Sequence, residues 1–236
     1  MIELKSKTMN TQNILVSNST SVEQAEFYRK TYLHVAFAIL AFMAVEALLL
    51  KLVPDSLILM MVGNKFGWLF ILGLFWLGSS MSNKLVFAET KEKQYMGLGL
   101  YVLLEALIFL PLIFIAANTA GVEVISQAAM ITLFMFAGLT AVVFFTKTDF
   151  SFLRTAITVG GFISLGLIAA GALFGFNLGL WFSVGMVVLA SGSILYQTSQ
   201  VKDQFGTDQY VGAALQLFAS VMLLFWYVLR ILMSRK

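Results

Sequence analysis

Seven apolar stretches run through this chain, each long enough to cross a bilayer, and two of them carry a carboxylate, Glu46 and Glu105. An apolar run of about 18 residues or more reads as a membrane-spanning helix, because a rise of 1.5 Å per residue carries it across a hydrocarbon core of about 30 Å. A carboxylate inside such a run costs about 2.5–3.5 kcal/mol on insertion scales, so it turns toward the bundle interior or a wet cavity. The fold class that follows is an all-α membrane protein, and its inward-facing polar groups are where function is to be sought.

The stretches cover 29–51, 57–81, 95–117, 124–146, 153–174, 178–196 and 210–233. The second is interrupted by Gly63-Asn64-Lys65, which predicts a short interfacial piece followed by a span from Phe66. The connections at 53–56, 82–94, 118–123, 147–152, 175–177 and 199–209 are short. Short connections make consecutive helices antiparallel neighbours, so the spans close into a bundle. Residues 1–28 are polar and are expected to form a mobile tail, leaving 29–236 as one transmembrane domain. Only 11% of residues are charged, against about 25% in soluble domains, which leaves no room for a separate soluble domain.

Several functions are excluded by what the chain lacks. A net charge of +3 is too small to suggest nucleic acid. The basic residues instead set orientation, because Lys and Arg concentrate in cytoplasmic loops. They are densest around residues 29–30, 84–93 and 147–154, which puts the N-terminus in the cytoplasm and the C-terminus outside, although Arg230, Arg235 and Lys236 pull the other way. Cysteine is absent, so disulfides, thiolate catalysis and cysteine metal sites are absent too. One histidine, His34, cannot build the usual zinc ligand sets, and its place in the first turn of the first span is interfacial. No general base stands beside a nucleophile, so no catalytic residue, cofactor or metal is expected.

Polar residues inside the spans are the remaining candidates. Glu105 lies deep in its span, ten residues from one end. Glu46 lies near Lys51, where a carboxylate reaches water at the interface. Either group relays a proton when neutral or binds a cation when ionised. In the last span Gln209, Gln216, Ser220 and Tyr227 are spaced by seven, four and seven residues, so they share one helical face. Ser191, Ser193, Gln197 and Thr198 close the sixth span, and the two sets predict a polar seam between the last two helices. Small residues from Gly160 to Gly175 suit close helix packing in the fifth span, and Pro111 predicts a kink in the third.

The run Ser191-Gly192-Ser193-Ile194-Leu195-Tyr196-Gln197-Thr198-Ser199, with Tyr210-Val211, Ala214-Leu215-Gln216-Leu217-Phe218 and Leu224-Phe225, resembles the closing signature of the Bax inhibitor-1 family. Lys147-Thr148-Asp149-Phe150-Ser151-Phe152-Leu153 is similar to that family's loop between the fourth and fifth spans, and Arg29-Lys30-Thr31-Tyr32 to the opening of the first. The resemblance runs from about residue 27 to the end, and is nearest to the bacterial branch that includes the modulator of the FtsH protease. It implies a seven-helix bundle with the seventh helix central, in the bacterial inner membrane. It also implies two activities: binding and restraining an FtsH-type membrane protease, or a pH-sensitive calcium leak. In the first, the polar tail is accessible to the protease while the bundle resists extraction.

The sequence departs from the leak pattern where it matters. Leak-type members carry an aspartate after the tyrosine of the sixth helix, where this chain has Gln197, and a second in the seventh helix, where it has Ser220. The arginine that partners them in the second helix has no counterpart within 69–81. Two adjacent carboxylates share a proton and titrate as a pair, which an amide and a hydroxyl do not. The expected function is therefore that of a regulatory membrane protein, with a cation or proton leak through Glu105, Gln197, Gln216, Ser220 and Glu46 as the rival.

Overall fold

The computed structural model describes residues 14–63, 65–88, 90–146 and 148–235, with the side chains of all of these except 62 and 65–70. It is all-helical, with no strand among the described residues. The helices are α1 (Ser21–Leu52), α2 (Asp55–Gly63), α3 (Lys65–Val86), α4 (Lys91–Thr119), α5 (Val122–Thr146), α6 (Leu153–Phe174), α7 (Gly179–Gln204) and α8 (Tyr210–Met233). Six of them, α1 and α4 to α8, are long and apolar enough to cross a membrane. The break expected at Gly63-Asn64-Lys65 falls on Asn64, which lies outside the described residues; α2 is described to Gly63 and α3 from Lys65.

Of the polar segment 1–28 expected to be a mobile tail, the part from Ile14 onward is held in structure. Residues 1–13 lie outside the described residues, but α1 begins at Ser21, eight residues before the apolar run. The cause is a capping box. Thr20 Oγ1 accepts from the Glu23 backbone N–H at 3.3 Å, and the Thr20 backbone N–H donates to Glu23 Oε2 at 2.8 Å. Two otherwise orphaned donors are thereby satisfied, so the helix starts in polar sequence. Ahead of it, Val16 N–H donates to Phe205 O at 3.0 Å and Thr207 N–H to Ile14 O at 3.1 Å, which ties the chain to the loop between α7 and α8. Val16 is fully buried there among Phe27, Val201, Phe205 and Ala213.

The core is organised around α8, which packs against α1, α3, α4, α5 and α7 and carries the longest series of buried residues. An aromatic seam joins it to α4 and α1. Phe109 stacks on Phe225 with centroids 5.6 Å apart, meets Trp226 edge-on at 4.9 Å, and meets Phe42 edge-on at 5.2 Å. Offset and edge-on pairs of this kind add about 0.5–1.5 kcal/mol each beyond the area they bury. Helix α6 is the opposite case. It has no buried residue and packs mainly on α7. Its glycine-rich sequence thus serves one close contact, where a Cβ on Gly160 would stand 2.6 Å from Leu189. Pro111 is buried inside an α4 that continues through it to Thr119.

Candidate functional site: polar groups between the helices

The predicted seam between the last two helices is present. Ser220 Oγ donates to Gln197 Oε1 at 3.0 Å, joining α8 to α7. Gln216, half-buried one turn earlier on α8, shares that face. Tyr227 closes the same stripe two turns later against Phe182, with ring centroids 5.9 Å apart. The fourth member leaves it: Gln209 Oε1 accepts from the Gly206 backbone N–H at 2.9 Å and so belongs to the loop. On α7, Ser193 donates to its own helix at Leu189 O, 3.0 Å away, as serines within spans commonly do.

Glu105 stands on the other side of α8. Tyr101, one turn before it on α4, interacts with the Glu105 carboxyl and meets Phe218 edge-on at 6.2 Å. The Phe109 contact with Phe225 continues the same facing stripe. At about 100° per residue, positions 218, 222 and 225 look away from 216, 220 and 227. Gln197, Gln216 and Ser220 thus form one group, and Glu105 with Tyr101 forms another, with the α8 backbone between them.

Glu46 is a third, separate point. It is buried, at 4% exposure, and neither carboxylate oxygen has a hydrogen-bond partner among the described residues. The expectation that it reaches water at the span end is therefore not met. The reason is that α1 packs against α4 and α8 to its last turns, with Leu49 and Leu50 also against the core. Contacts of His34 with Tyr95 and of Phe42 with Phe109 show that α1 and α4 run in the same direction. Neither oxygen of Glu46 bonds to Glu105. The two do not form a dyad.

Two further polar groupings emerge from the packing. Tyr32, Thr140 and Thr198 bring their hydroxyls from α1, α5 and α7 into one buried neighbourhood, although no pair closes a bond of ordinary geometry. Where α1 passes the first turns of α4 and α8, His34 joins a network rather than standing alone. Its Nδ1 lies 2.7 Å from Lys30 O and its Nε2 lies 3.1 Å from the Tyr95 hydroxyl, which is 3.4 Å from the Tyr210 hydroxyl. Lys91 Nζ sits 4.3 Å from the Tyr210 ring centroid and donates to Asp208 O. The pairs Lys30/His34 and Lys91/Tyr95, each four residues apart at the start of a span, were the available signal. Among the described residues no three His, Asp or Glu side chains gather as a metal site would require.

Comparison with known proteins agrees with this architecture. Residues 24–236 match the family profile described as "Inhibitor of apoptosis-promoting Bax1". An uncharacterized protein of Pseudomonas aeruginosa is 38% identical over 112 residues, 47% of this chain and 50% of that one. One from Neisseria meningitidis is 33% identical over 115 residues, 48% of this chain and 50% of its own length. A Vibrio cholerae protein described as an uncharacterized membrane protein is 32% identical over 124 residues, covering 50% and 53%. The chain spans about half the length of the curated relatives it matches.

Proposed function

The chain belongs to the Bax inhibitor-1 family, and from that premise we propose that it is a non-enzymatic regulatory protein of the bacterial inner membrane that binds and restrains an FtsH-type protease. In this reading α3 is a seventh crossing beside the six long apolar helices, and α8 is the central one. The N-terminus is cytoplasmic and the C-terminus lies on the far side.

One observation carries the choice of regulator over pH-gated leak. The Gln197–Ser220 hydrogen bond, at 3.0 Å, occupies the place where leak-type relatives are expected to carry paired carboxylates. An amide and a hydroxyl have no proton to exchange near neutrality, so the bond between α7 and α8 holds across the physiological range. Co-purification of the tagged chain with the membrane protease tests the reading. Enrichment over an unrelated multi-span protein is expected, and equal recovery rules it out.

A second reading, a calcium or proton leak, draws on Glu46, whose unpartnered buried oxygens are of the kind that bind a cation or proton. Calcium entry into proteoliposomes separates the two. Flux that falls in Glu46→Gln or Glu105→Gln favours the leak, and flux at the level of empty liposomes in all three proteins favours the regulator.

A further inference from the structure

Between α1 and α4 lies a groove of about 480 Å³, lined by His34, Ala38, Ala41, Tyr95, Gly99 and Val102 among others. Its walls are almost wholly apolar. Phe37 and Leu103 stand exposed at its margins, so it opens outward toward the lipid side. Along α1 it runs from His34 to Val45, about 16 Å, which is the length of much of an acyl chain. The floor is low because Gly99 has no side chain; a Cβ there would meet nothing within 4 Å.

One end of this groove is polar and carries two lysines, Lys30 beside Glu26 and Lys91 beside Asp208. His34 and Tyr95 close it, and one turn before them on the same helices are Lys30 and Lys91. Both ammonium groups approach the ring of Tyr210, at 5.3 and 4.3 Å from its centroid. Two like charges are therefore held against one ring, and Arg29 precedes them. Glu26 engages Lys30 at 2.8 Å. Lys91 donates to Asp208 O and to Gln94 Oε1, the latter at 3.2 Å, which leaves one of its three N–H groups unspent.

We infer that the groove between α1 and α4 is a binding site for an anionic phospholipid, with an acyl chain along Ala38, Gly99 and Val102 and the phosphate against Lys30, Lys91 and the Tyr95 hydroxyl. Charge and shape together select this occupant. Basic pockets between spans recognise acidic headgroups, with about 1 kcal/mol from each nearby Lys or Arg. A zwitterionic headgroup brings its own cation to the two lysines and loses that gain. An extended peptide laid in the apolar groove would leave its backbone groups unpaired.

The test uses the full chain in nanodiscs of phosphatidylcholine, alone or with phosphatidylglycerol, read by thermal unfolding and by native mass spectrometry of retained lipid. Phosphatidylglycerol is expected to raise the unfolding midpoint and to remain bound. Retention should fall about tenfold or more in the Lys30→Gln/Lys91→Gln double variant. Gly99→Leu, whose Cβ has open space and whose side chain enters the groove, should lose it with both lysines intact. Lys91→Arg and the distant Lys202→Gln should keep it. The proposal is overturned if the two lipids are retained equally, if Gly99→Leu keeps the preference, or if Lys202→Gln loses as much as the double variant. A matching shift from inorganic phosphate in lipid-free detergent overturns it as well, since the groove would then play no part.

Discussion

Glu46 and Glu105 are the same side chain in two neighbouring apolar helices, yet their surroundings set them apart. Glu105 has the Tyr101 hydroxyl as a polar neighbour, whereas both oxygens of Glu46 are buried with no hydrogen-bond partner among the described residues. Leaving a buried donor without its partner costs about 1–3 kcal/mol, and replacing an unpaired polar group by an apolar one of similar shape is near neutral or stabilising. Glu105→Leu is therefore expected to lower the thermal unfolding midpoint, because it takes the polar neighbour away from the buried Tyr101 hydroxyl. Glu46→Leu is expected to leave the midpoint unchanged or raise it in the same detergent. The reverse order would show that Glu46 has a partner of its own. Ser220→Ala removes one interhelical bond and should cost only about 0.6 kcal/mol, a small shift in the same assay.

At the scale of the helices, close approach and capping decide the boundaries. A Cβ on Gly97 would lie 2.8 Å from Ser82 O, a backbone atom that cannot step aside, and Ser82 Oγ donates to Gly97 O at 2.6 Å. Gly97→Ala should consequently separate α3 from α4 and destabilise the protein, whereas Gly99→Ala, two residues on and facing open space, should not. Comparing their unfolding midpoints checks this. Thr20→Ala removes the cap of α1 and should cost about 1 kcal/mol locally, read as faster hydrogen exchange at the Glu23 amide. These features show what was legible. The spacing of Gln216, Ser220 and Tyr227 fixed a helical face without any knowledge of the partner, because 3.6-residue periodicity is a property of the chain alone. The start of α1 was missed because hydropathy marks where a helix becomes apolar, not where Thr20 and Glu23 begin it. The burial of Glu46 was hidden for a related reason. Distance from the span end says how far water is along the axis, while the packing of α4 and α8 beside it says whether water can enter.

For the whole molecule, the apolar run lengths were enough to define an all-helical multi-span protein. They were not enough to show which polar residues meet, since that depends on which sides of α8 face α4 and α7. The orientation proposed for the bundle makes a simple prediction, helped by a chain with no cysteine. Asn18→Cys should react with a membrane-impermeant thiol reagent only from the cytoplasmic side, and Ser234→Cys only from the opposite side. Labelling of both from one side would mean an even number of crossings. The sharpest measurement concerns the neutral bond between α7 and α8. Calcium entry into proteoliposomes should be followed from about pH 6 to pH 8 for the natural chain and for Gln197→Asp/Ser220→Asp, which restores two carboxylates able to share a proton. A natural chain flat at the level of empty liposomes beside a pH-dependent double variant is the predicted result. Calcium entry through the natural chain that rises and falls with pH would contradict it.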